Sequence, residues 1–160
     1  MAKPDELRRL AALLRAEMDN IDRTVKDIEE LRLRPRRDRF DDYAAAHLLE
    51  GFYTGVEKAF TRIAAELGGL PKGPAWHDRL LRDMTLELPA VRPAVLAKTE
   101  ASGLQDYLAF RHLARHLYGF ELDAGRIEPL LAGLVGAWRP VRAGLLAFAG
   151  ALDSMAAALD

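Results

Sequence analysis

A chain of 160 residues, half of them apolar, is long enough for one domain with a full core and too apolar to stay disordered. Its formal net charge of −1 separates it from the strongly basic proteins that coat nucleic acid, so any nucleic-acid contact must be local. The absence of cysteine excludes disulfides and thiolate metal sites, and makes the cytoplasm the expected compartment.

The first segment, MAKPDELRRL, carries charges where a signal peptide needs an apolar core. No stretch reaches the ~20 apolar residues of a membrane span. The longest uninterrupted run is Ala143 to Leu152, so no membrane is expected. Residues 4–33 read as a long first helix. Leu7, Leu14, Ile21 and Ile28 recur every seven residues, with Ala11, Met18 and Val25 interleaved, which is a bundle seam. Asp5 and Glu6 favour its start.

A basic connection follows, with Arg32, Arg34, Arg36, Arg37 and Arg39 broken by Pro35. It reads either as a solvated turn or as a patch that steers RNA. Residues 40–68 form the second helix, with a stripe of Ala44, Leu48, Phe52, Val56, Phe60, Ile63 and Leu67, and Gly68-Gly69 ends it. Glu50 and Glu57 are placed to face a neighbouring basic side, salt bridging within the bundle being the default. His47 reads as structural or exposed.

Trp76 to Leu86 is a short third helix with Leu80, Leu81 and Met84 on its apolar side, and His77 reads as a surface or boundary residue. Pro89 and Pro93 bracket an irregular segment, and 93–98 is expected to restart as a helical turn. The last helix, capped by Asp123, runs to the C-terminus with a kink at Pro140. It is apolar on most sides, so one side should meet the bundle and the other a second copy or a partner.

Residues 102–120, SGLQDYLAFRHLARHLYGF, carry the chemistry. Ser102 reads as an N-cap and Gly119 as the C′ residue, which gives one helix with both ends marked. On a wheel of about 100° per residue, Arg111, His112, Arg115, His116 and Tyr118 gather on one polar side, with no acid among them. Phe110, Leu113, Ala114, Leu117 and Phe120 fall opposite, as the packing side. Arginine offers a planar fork for phosphate oxygens, and histidine moves protons near neutral pH. His112 and His116 are four apart, a helical zinc spacing. Position 113 is leucine, no third ligand stands out, and two arginines repel a cation, so no metal or other cofactor is expected.

Arg111-His112-x-x-x-His116-x-Tyr118 resembles the R-x4-H-x-Y signature of HepT-type toxins in the HEPN superfamily. The resemblance implies an all-α, up-and-down bundle of four to five helices, with 1–160 as a single HEPN-like domain. It implies a metal-independent endoribonuclease in which Arg111 and His116 are catalytic. His112 and Arg115 support catalysis or bind RNA. It further implies a homodimer with the active sites in the interface cleft. It also implies a cognate MNT nucleotidyltransferase antitoxin that attaches AMP to Tyr118. The wheel sets Arg111 and His116 about 140° apart, so two copies facing across a two-fold axis would bring them together. Leu104 and Leu108, read as exposed, suit such pairing. The competing readings are a non-catalytic HEPN-like nucleotide-binding module and a dimerisation module whose Arg/His cluster is only a solvated edge.

Overall fold

The computed structural model describes residues 2–35 and 37–160. It is all-helical, with α1 at Pro4–Arg32, α2 at Arg39–Glu66, α3 at Trp76–Asp83, α4 at Lys98–Ala114 and α5 at Ala124–Leu159. A single 3-10 turn, Gly119–Glu121, stands between the last two. Among the described residues there is no strand, only one isolated bridge between Leu88 and Arg92.

The direction of each helix can be read from its contacts. Arg8 pairs with Asp160, Arg15 with Asp153, and Arg142 with Asp22, so α1 and α5 run antiparallel. Ile21 lies against Gly55 and Arg34 reaches Asp41, which makes α1 and α2 antiparallel too. Tyr43 meets Gly119 while Phe52 meets Tyr107, so the α4 arm returns along α2. The Tyr107 hydroxyl donates to the Leu130 carbonyl, and Gly144 lies beside Val95, so α5 descends along α4. The result is the expected up-and-down bundle, with α3 packed across α2 and α4.

The seven-residue seam of α1 is the core. Leu7, Ala11, Leu14, Met18, Ile21 and Ile28 are all buried, and Val25 is half-buried. They pack on α5 and α2. In α2 the buried stripe matches the expectation from Phe52 onward; before it, Ala45, Ala46 and Leu49 are inside and Ala44 is exposed. Asp38 caps this helix, accepting from the amides of Phe40 and Asp41. Gly55 has no room for a larger side chain, because an added Cβ would sit 2.8 Å from Ile21. Gly68, at φ +112°, turns the chain out of α2 in a conformation that favours glycine.

Asp123 caps α5 as expected, accepting from the Gly125 amide at 2.9 Å. The helix runs unbroken through Pro129 and Pro140. By length and composition it could cross a membrane. In this bundle its inner side, from Ile127 through Trp138 to Leu152, is buried among the other helices. Its outer side carries small residues such as Ala132, Gly136, Ala143 and Ala147, with Leu146 exposed among them.

The cations of the basic connection are largely engaged in pairs within the chain, at or near its surface. Arg32 holds Glu29, Arg34 holds Asp41, and Arg37 holds Glu128, while Arg39 lies over the Phe40 ring. Arg36 lies outside the described residues. The solvated or structural turn therefore has more support than an RNA-steering patch. A second guanidinium, Arg92, is buried and donates to the carbonyls of Asp83, Leu86 and Pro93. It ties down the irregular segment between α3 and α4.

Candidate active site at the end of helix α4

Two expectations about α4 need correction. The helix begins at Lys98, where the Ala97 amide donates to Glu100 Oε2 at 2.7 Å, rather than at a Ser102 cap. It ends at Ala114, five residues before Gly119. The chain then tightens: the His116 amide donates to Leu113 and the Leu117 amide to Ala114, both three residues back. Positions beyond 114 no longer follow the α-helical wheel. Phe120, expected on the packing side, is 79% exposed, and Tyr118 is 71% exposed.

Arg111 is also not on a solvated side. Leu104, Tyr107, Leu108 and Arg111 form one stripe at helical spacing, and all four are buried. Leu104 and Leu108 are therefore core residues and cannot serve a dimer interface. Arg111 is the charged end of a core stripe, 1% exposed.

A buried guanidinium needs a counter-charge, and α2 supplies it. Arg111 Nη2 donates to Glu57 Oε2 at 2.8 Å. The same nitrogen lies 3.1 Å from His77 Nδ1, which is itself 2.7 Å from Glu57 Oε2. The Arg111 guanidinium also sits 4.9 Å from the Tyr53 ring centroid. Its Nε is buried with no hydrogen-bond partner among the described residues. Burial first, and then the Glu57 charge, push the Tyr53 hydroxyl far above its ordinary value; Arg111 opposes this. Removing either member of the buried Arg111–Glu57 pair leaves the other's charge uncompensated in the core.

α3 brings the remaining groups. The His77 ring stacks on Trp76 at 3.7 Å between centroids, and the His112 ring meets its edge at 5.1 Å. Burial, then proximity to His77 and Arg111, hold the His112 imidazole below its ordinary value, with Asp78 opposing. Arg115 and His116 lie exposed on the turn beyond the helix. The Tyr118 ring stacks on Phe120 at 5.4 Å, nearly parallel, and both residues are largely exposed.

Of the five residues singled out in the sequence, the fold joins Arg111 and His112 to one cluster and leaves Arg115, His116 and Tyr118 on the adjoining surface. No hydrogen bond links Arg111 to His116 among the described residues. Glu57, expected from the sequence to face a basic neighbour, meets Arg111. His77, which the sequence offers only as a surface or boundary residue, is a member of the cluster. Among the described residues, no group of three or more His, Asp or Glu side chains could hold a metal ion.

A family model described as HepT-like protein matches residues 44–152, more than half of the chain. The chain belongs to the HepT-like protein family. The resemblance to HepT-type toxins of the HEPN superfamily, read from the motif at 111–118, therefore holds. The matched span of this HepT-like chain contains Glu57, His77, Arg111, His112, His116 and Tyr118. No curated protein and no solved structure matches the chain.

Proposed function

We propose that this HepT-like chain is a metal-independent endoribonuclease toxin of a HEPN/MNT toxin–antitoxin pair. In this reading it acts in the cytoplasm as one HEPN-like domain over 1–160, and as a homodimer. The observation that carries the reading is the end of α4. Within eight residues the chain sets a buried, paired guanidinium, a recessed imidazole, an exposed imidazole and an exposed tyrosine. RNA brings its own nucleophile, the 2′-hydroxyl, so the protein has only to move protons and stabilise charge at phosphorus. His116 is the exposed proton-transfer group. Arg111 acts through its field and by fixing its neighbours, since burial and the Glu57 pair turn it away from direct phosphate contact. Arg115 contributes an exposed cation for the RNA backbone, and His112 supports the proton transfer.

Tyr118 is the proposed site of AMP attachment by the cognate nucleotidyltransferase antitoxin. Its exposure makes the hydroxyl reachable, and an added nucleotide would set bulk and negative charge beside His116 and Arg115. Pairing of two copies brings two such ends into one cleft, and a forced monomer is expected to lose activity.

One observation favours a second reading, a non-catalytic HEPN-like nucleotide-binding or dimerisation module: Arg111 is fully engaged inside the fold. Cleavage of RNA in excess chelator separates the two. The nuclease reading expects His116→Ala to lose roughly 100-fold or more while staying folded. Equal cleavage by wild type and His116→Ala would refute it, and no cleavage by wild type would leave the module. After coexpression with a cognate MNT nucleotidyltransferase, an AMP adduct should appear by mass spectrometry and vanish in Tyr118→Phe.

A further inference from the structure

We propose that His77 is a further catalytic residue of this site, a general base whose tautomer Glu57 fixes; this rests on the ribonuclease reading above. Arginine can only donate and a carboxylate can only accept. His77 Nδ1 lies within reach of both, so it can satisfy one of them. The shorter contact, 2.7 Å to Glu57 against 3.1 Å to Arg111, puts a proton on Nδ1, donated to Glu57 Oε2. The other ring nitrogen, Nε2, then carries the lone pair. It has no hydrogen-bond partner among the described residues, and it is not among the sealed, unpartnered polar atoms.

The setting supports a working base rather than a plain structural link. The ring is clamped by Trp76 on its face and His112 at its edge, and its side chain is 16% exposed, recessed but reachable. Glu57 is itself fixed by Arg111, so each member of the chain Arg111–Glu57–His77 orients the next. The rings of His77 and His112 touch, leaving no space for a phosphate between them. His112 therefore steadies His77, and we assign the acid to His116, the exposed imidazole of the same α4 end. In the step, the 2′-hydroxyl proton passes to His77 Nε2 as the 2′-oxygen bonds to phosphorus. The bond from phosphorus to the 5′-oxygen breaks, and that oxygen takes a proton from the His116 imidazolium. The products are a 2′,3′-cyclic phosphate and a 5′-hydroxyl, and water returns the proton between the imidazoles. Glu57 is a positioning residue in this scheme.

Nitrogen-15 NMR of the imidazoles in the wild-type protein near neutral pH reads the tautomer without any substrate. His77 should hold its proton on Nδ1, and Glu57→Gln should mix the two tautomers; a wild-type His77 protonated on Nε2 alone overturns the proposal. Cleavage of total bacterial RNA in excess chelator reads the role. His77→Gln should lose roughly 100-fold or more with an unchanged melting temperature, and added imidazole should restore part of the activity of His77→Gly. If His77→Gln cuts like wild type while His116→Ala is dead, the assignment of His77 falls and the ribonuclease reading stands. If the wild type does not cut, both fall.

Discussion

Along the seam between α1 and α5, apolar side chains fill the middle and charges stay at the rim. Arg15 and Asp153 meet there at 2.6 Å with both side chains more than 40% exposed. At the end of α4 the order is inverted. Arg111 and Glu57 are inside, while Tyr118 and Phe120 stand in solvent. The seam is what a bundle needs in order to fold. The inverted end costs desolvation energy that an apolar pair of the same size would not, and it exposes aromatic surface that a bundle would otherwise cover. In the ribonuclease reading proposed above, the arrangement is kept for what it does to His77 and His112.

That contrast can be broken at either region. Glu57→Ala strands the Arg111 charge in the core and should cost about 3–5 kcal/mol in urea unfolding, the largest effect of any single change at the α4 end. Replacing Glu57 and Arg111 together by methionine should instead be near neutral or stabilising, while abolishing activity. A double variant as unstable as Glu57→Ala would mean that the pair serves stability after all. On the seam, Leu14→Ala should cost about 2–5 kcal/mol, because the residue is fully buried in the core. Arg15→Ala, at the same seam's rim, should change stability by less than about 1 kcal/mol.

The smallest expected effect is a pH slope at His112. Its folded-state value lies below the ordinary 6.5 of the unfolded chain, so between the two values the folded state binds fewer protons. The associated stability is present above about 6.5 and is lost as pH falls through the lower, folded value. Unfolding followed from about pH 7.5 down to about pH 5 should show this loss, and His112→Asn should flatten it.

How much of this was legible in the sequence differs between the same two regions. The α1 seam was readable residue by residue, because a seven-residue repeat depends only on local geometry and Leu7, Leu14, Ile21 and Ile28 all landed inside. The motif at 111–118 was legible as chemistry but not as geometry. A wheel assigns arginine to the solvated side by default, and Arg111 is inside only because Glu57, 54 positions earlier, neutralises it. The end of α4 at Ala114 was hidden because nothing before Gly119 marks it; the tightened turn at 115–117 is set by tertiary packing, with Gly119 seated against the Tyr43 ring. His77 had no sequence signal beyond its neighbour Trp76, since its partners come from two other helices.

The central claim is that imidazoles move protons for RNA's own 2′-hydroxyl, and the chemical ends left by cleavage test it most directly. RNA cut by the wild-type protein in excess chelator should carry 2′,3′-cyclic phosphate and 5′-hydroxyl ends. Fragments carrying 3′-hydroxyl and 5′-phosphate ends, formed only when a divalent metal is supplied, would contradict it.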